Sequence, residues 1–153
     1  MKAVVQRVSK AKVSVAGDVT GSIGQGLMIL LGVAPYDTIE DAIYLAERCV
    51  KLRIFHDENG KMNRSLLDIN GEALIVSQFT LYADTSGGHR PSFANAAKGE
   101  IAEPLYLKFV EAVKAWEINV GTGVFGADMD LEIHNQGPVT LTVKSKSEKK
   151  FSN

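Results

Sequence analysis

The chain has 153 residues, 45% hydrophobic and 23% charged, and its net charge of −1 excludes a globally basic nucleic-acid binder; a polyanionic partner has to be met by a local patch. The length predicts one domain, 1–153, that buries roughly 70% of the surface of its unfolded chain without a covalent or metal staple. The single cysteine, Cys49, excludes an internal disulfide, and with no long apolar span or secretory segment the chain reads as cytoplasmic.

Residues 1 to 8 and 11 to 16 read as two short strands joined through Ser9-Lys10, and a small third strand is expected near Thr20-Ile23. Arg7 shares a face with Ala3 and Val5. Its guanidinium either reaches water past a packed stem or acts as a rigid donor fork on a backbone carbonyl or carboxylate; residue type alone favours the first. Residues 27 to 33 form a continuous apolar run, as expected of a strand covered on both faces. Thr38 and Asp41 then make a capping box for a helix whose apolar stripe is Ile39, Ala42, Ile43, Ala46, Cys49 and Val50. This puts Cys49 in the core, as an inert thiol. Asp57 to Lys61 reads as a tight turn, and lacks the acidic spacing of a calcium loop.

Ala73 to Val76 predicts a buried strand that ends in Ser77-Gln78-Phe79-Thr80-Leu81-Tyr82, where hydroxyls, an amide and a ring appear together. Ligands in sheets with helical crossovers sit beyond the carboxyl ends of strands. The plain alternative is that Ser77 and Thr80 satisfy nearby backbone, and residue types alone favour it. The loop from Ala83 to Ser92 carries Gly87-Gly88 beside His89 and Arg90. A second helix is expected with Pro104 in its first turn and Leu105, Phe109, Ala112, Val113 and Trp116 in the core. Gly121-Thr122-Gly123-Val124-Phe125-Gly126 has the spacing G-x-G-x-x-G. A helix precedes it and a strand follows, the reverse of a dinucleotide site, and that reading is rejected. Two strands, Asp130 to His134 and Val139 to Val143, close the chain through Asn135-Gln136-Gly137-Pro138, and a cis bond there has a frequency of only about 5%. The lysine-rich tail, Lys144 to Lys150, reads as frayed. Together these elements predict a single α/β domain with a mixed sheet, in the order two or three strands, two strand-helix units and two or three strands, with two helices.

No phosphate-binding loop or nucleophile elbow is present, and none of His56, His89 and His134 makes a metal-ligand pair with Cys49 at a recognised spacing. Nor does the sequence supply an evident base for Ser77 or Thr80.

The opening Met1 to Val8, Ser77 to Tyr82, Arg90-Pro91-Ser92-Phe93 and Asn135 to Thr140, in this order and over essentially the whole chain, resemble the D-aminoacyl-tRNA deacylases. The resemblance implies a homodimeric hydrolase that cleaves the ester of D-aminoacyl-tRNA, and of glycyl-tRNA mischarged on tRNA(Ala), with neither metal nor organic cofactor. It implies that Gly137-Pro138 is a cis pair inserted across the dimer interface into the partner's pocket, where main-chain atoms exclude an L side chain, and that Arg7 holds that pair. Ser77, Gln78, Phe79 and Thr80 would receive the aminoacyl group and terminal adenosine, while Ala102, Phe125 and Met129 match further lining positions. Thr80 is either the nucleophile or an orienting group for water activated by the tRNA 2′-OH; the second explains why Thr80 has no base. The chain departs from the family at Gln136, where Asp is common, and at Ser86 to His89, where basic residues are usual. A non-hydrolytic nucleic-acid-binding module and an editing relative with relaxed stereospecificity and a trans Gly-Pro bond are the alternatives.

Overall fold

The N-terminal strand is longer than its polar interruption suggests. In the computed structural model, which describes residues 1–151, β1 runs unbroken from Lys2–Val15. Ser9-Lys10, expected to separate two strands, marks a change of partner. Lys2 to Val8 pairs antiparallel with β3 (Gly26–Gly32), and Ala11 to Val15 pairs with β2 (Asp18–Ile23). The other edge of β1 carries β8 (Asp130–Lys144) along nearly its whole length. β3 continues the sheet through parallel pairing to β6 (Glu72–Ser77), and β6 to β7 (Val120–Thr122). The sheet curls until its ends approach, and a methyl on Gly21 of β2 would lie 2.6 Å from the Thr122 carbonyl of β7.

The parallel centre is apolar because both its faces are covered: Leu27 to Ile29 and Ala73 to Ile75 are fully buried. One face packs on α1 (Ile39–Val50) and α2 (Gly99–Lys114), forming the larger core around Leu45, Phe109 and Val113. The other holds a smaller cluster that includes Val8, Val13, Met28, Leu74 and Val76. Burying each such Leu, Ile or Phe contributes about 1.5–3 kcal/mol.

The capping box of α1 forms as expected: the Asp41 amide donates to Thr38 Oγ1, and the Thr38 amide donates to the Asp41 carboxylate. The buried stripe is rotated from the expected one. Ala42, Leu45, Ala46 and Cys49 face the core, whereas Ile39 and Ile43 are about half exposed. Desolvation pushes the Cys49 thiol up to about 12, which keeps it protonated. Asp57 to Lys61 is the turn between two short strands, β4 (Phe55–His56) and β5 (Met62–Arg64), which form a separate ribbon. In α2, Pro104 is the sixth residue rather than part of the first turn, and Trp116 lies past the helix end, partly exposed beneath the Lys51 ammonium 4.8 Å from its ring centre.

The tail is not frayed over the described residues. A third helix, α3 (Lys146–Phe151), follows Ser145, whose hydroxyl accepts from the Glu148 amide. Ser145-Lys146-Ser147-Glu148 has the S-x-x-E spacing of a helix start, a signal masked by the run of lysines. Buried Glu148 accepts from the hydroxyls of Tyr36 and Tyr82, both at 2.7 Å, and lies 3.4 Å from the Lys2 ammonium. This network ties the last helix to the end of the sheet where β1 starts and β3 and β6 finish. No helix among the described residues is long and apolar enough to cross a membrane.

Candidate active site

At the carboxyl end of β6 the ladder stops with the Gln78 amide donating to the Leu31 carbonyl at 2.8 Å. The chain then folds into one 3-10 turn, Phe79–Tyr82. This abrupt change of path leaves Ser77, Gln78 and Phe79 on the wall of a cavity of about 320 Å³. The start of α2 supplies Gly99, Ala102 and Tyr106, and the segment after β7 supplies Phe125 to Met129.

Of the residues expected from the sequence, Ser77, Gln78, Phe79, Ala102, Phe125 and Met129 meet in this cavity. Thr80 lies outside its lining and is exposed. The Gln78 side-chain amide donates to Thr80 Oγ1. An amide N–H cannot accept the hydroxyl proton, so this contact orients Thr80 without making it a nucleophile.

Tyr106 lines the cavity although its sequence context does not single it out. It stands one helical turn beyond Ala102, and that i, i+4 relation is the signal that could have found it. Its hydroxyl donates to the Ile75 carbonyl at 2.8 Å, its ring lies 5.7 Å from that of Phe125, and burial pushes its pKa up to about 12. The group is therefore a neutral anchor between α2 and β6. The G-x-G-x-x-G stretch also has a packing role. Gly121 and Thr122 belong to β7 itself, and a methyl on Gly123 would lie 2.4 Å from the Met129 sulfur. The glycine lets the Met129 side chain reach the cavity wall.

Arg7, Gly137 and Pro138 are elsewhere. Opposite Arg7, the pairing steps from Val8 with Asn135 to Gln6 with Thr140, so residues 136–139 bulge out of β8. The predicted pair of strands is thus one interrupted strand. Asn135 closes the neck, accepting from the Val139 amide at 3.2 Å and donating to Thr140 Oγ1 at 2.9 Å. Arg7, only 5% exposed, donates from Nε to the Gln136 carbonyl at 3.1 Å and from Nη1 to the Ile54 carbonyl at 2.7 Å. The donor-fork geometry, and not the snorkelling one, is what forms. Only the main chain of Gln136 is engaged by Arg7, so the change from Asp leaves that contact intact. The Gly137-Pro138 bond is cis, both residues are exposed, and Gly137 has φ +127°, a conformation that disfavours a side chain. Arg7, Gln136 and Gly137 line a second hollow, of about 660 Å³, with His56 and Arg64. Neither hollow shares a lining residue with the other.

A family model described as D-Tyr-tRNA(Tyr) deacylase matches residues 4–144. The chain belongs to this family. Among relatives of the deacylase family, a D-aminoacyl-tRNA deacylase of Fervidobacterium nodosum is 56% identical over 95% of this chain and 98% of its own length. One of Chloroflexus aurantiacus is 59% identical over 95% and 91%. A solved structure named "c-Myc DNA Unwinding Element Binding Protein" is 40% identical, covers 95% of this chain and 99% of that one, and superposes with a TM-score of 0.88. Another, described as a probable eukaryotic D-amino acid tRNA deacylase, is 17% identical, covers 93% and 97%, and has a TM-score of 0.79; its likeness concerns the fold alone.

Proposed function

We propose that this protein hydrolyses the ester of D-aminoacyl-tRNA, and of glycyl-tRNA mischarged on tRNA(Ala), releasing tRNA and the amino acid. The proposed working unit is a homodimer. One observation carries this reading beyond family membership: the cavity behind Ser77 and the Arg7-held bulge at Gly137-Pro138 are separate in one chain. Two copies would bring them together over one substrate, the exposed bulge of one entering the cavity of the other.

The terminal adenosine would rest against the apolar surfaces of Ala102, Phe125 and Met129, with the aminoacyl ester beside Ser77, Gln78 and Phe79. The partner's main chain at the bulge leaves room for hydrogen at the α-carbon and none for an L side chain, so discrimination is steric. Since Thr80 has no base beside it, the vicinal 2′-OH of the tRNA takes the role of activating water. The water oxygen then bonds to the ester carbonyl carbon, the carbon–oxygen bond to the ribose 3′-oxygen breaks, and the proton passes to that oxygen. The polar groups of Ser77 and Gln78 orient this attack and stabilise the developing oxyanion.

Release of tyrosine from D-Tyr-tRNA and L-Tyr-tRNA, with a chelator present, tests the activity. Cleavage of the D ester alone is the expected result. Equal cleavage of both would instead favour a relaxed editing relative. A second reading, a nucleic-acid-binding module that does not hydrolyse, draws support from the 40% identical structure named for DNA binding; intact binding of tRNA with no cleavage of either ester would establish it. Thr80→Ala is expected to keep kcat within about tenfold of the parent, because general-base or nucleophile removal costs on the order of a hundredfold or more. Near-complete loss would return the nucleophile role to Thr80.

A further inference from the structure

Phe79 and Phe93 form an edge-to-face pair, with ring centres 5.1 Å apart and planes at 74°. Both rings are open to solvent, at 56% and 40% exposure. Phe79 lines the candidate active-site cavity, whereas Phe93 lies just outside the lining. The pair therefore extends an apolar surface from the cavity onto the outside of the molecule.

Phe93 is also held in place. Asp84 and Ser92 exchange two backbone hydrogen bonds, of 2.8 and 2.9 Å, closing the base of the intervening loop. On the other side the Ala96 amide donates to the Phe93 carbonyl at 3.1 Å, and the Ala97 amide donates to the carbonyl of Val33, the residue after β3, at 2.9 Å. The ring is thus presented by a chain braced on both sides, not by a loose tip.

Its neighbours in sequence are cationic. Arg90 and Lys98 flank Phe93 three and five residues away, and both are exposed. Neither pairs with a carboxylate among the described residues. Asp84, the acid of this loop, is occupied by the amide and hydroxyl of Ser86. An exposed aromatic surface with exposed cations three and five residues along the same chain segment has the surface chemistry that suits single-stranded nucleic acid, in which bases stack on rings and phosphates meet charge.

We infer that Phe93, with the outer face of Phe79, is a stacking platform for the unpaired base that precedes the terminal adenosine of the tRNA, and that Arg90 and Lys98 meet the adjoining phosphates. This rests on the tRNA reading above and deepens it, because it assigns the chain a subsite for the single-stranded end beyond the terminal nucleoside. The local patch that a near-neutral protein needs for a polyanion is then this loop.

The test compares Phe93→Ala and Phe93→Tyr with the parent in two measurements. The first is binding of a fluorescently labelled single-stranded RNA ending in CCA, by anisotropy; the second is hydrolysis of D-Tyr-tRNA against D-tyrosyl-adenosine, which lacks the preceding nucleotide. Phe93→Ala is expected to weaken RNA binding on the order of ten- to a hundredfold, and to lower kcat/KM for D-Tyr-tRNA by a similar factor, with D-tyrosyl-adenosine unaffected. Phe93→Tyr restores both. Unchanged RNA binding overturns the inference whether or not the parent hydrolyses either ester. Equal loss on both esters, or a change in molecular mass on size exclusion, also overturns it, since the ring would then serve the cavity or a protein interface. A parent that binds the RNA through Phe93 but cleaves neither ester preserves the platform and removes the hydrolase reading alone.

Discussion

Gly137→Ala is expected to lower hydrolysis of D-aminoacyl-tRNA and glycyl-tRNA alike by about a hundredfold or more while the protein stays folded. At φ +127° an alanine is strained by about 1–3 kcal/mol, and its methyl would lie 2.9 Å from both Arg7 Nη2 and Val139 Cγ2. The backbone of residues 136–139 has to move to relieve this, and displacement by about 1 Å at a reacting centre costs on the order of a hundredfold in rate. The segment bulges out of the ladder and only Val139 of it packs against the core, which is why the loss falls mainly on activity and not on folding. Parallel rate measurements on the two substrates with a thermal melt check this. Undiminished turnover would contradict the steric account of selection.

Arg7→Met should have two effects that can be separated. Methionine keeps much of the buried stem but donates to neither the Gln136 nor the Ile54 carbonyl. Hydrogen bonds from a charged group contribute roughly 1.5–3 kcal/mol each, so a loss of about 3 kcal/mol in a urea titration is expected. Arg7→Lys is expected to recover part of that stability, because one ammonium cannot span two carbonyls as a fork does. The second effect is on selection. On the proposed mechanism, releasing Gln136 frees the Gly137-Pro138 segment from its place beside the substrate's α-carbon, and the ratio of D to L cleavage is expected to fall even at temperatures well below the melting point. A lower melting temperature with unchanged D to L ratio would make Arg7 a structural residue only.

These expectations rest on different amounts of sequence information. The parallel strands at 27–33 and 73–76 are legible because both faces are buried and their residues are continuously apolar. Thr38 and Asp41 are legible as a cap because the interaction is local. Ser77 and Gln78 stand out for a similar reason, being polar groups at the end of an apolar run. Other features depend on partners distant in the chain. Ser9-Lys10 interrupts the hydrophobic pattern but not the strand, because β1 changes partner from β3 to β2 there. The exposure of Ile39 and Ile43 follows from how α1 rolls against its neighbours, which periodicity alone does not specify. The tail helix is ordered by buried Glu148 meeting Tyr36 and Tyr82, contacts spanning 112 and 66 residues.

By itself the sequence determined the apolar strands, the cap of α1, the residue types at the end of β6 and the family motifs, all set by neighbours within a few positions. Only the tertiary structure decided that Arg7 serves carbonyls 47 and 129 residues away, that Thr80 stands outside the cavity, and that the bulge at Gly137-Pro138 lines a different hollow from Ser77. The reason is physical: hydrogen bonding across the sheet and burial between layers are set by which distant segments pair, and hydrophobic pattern carries little of that information.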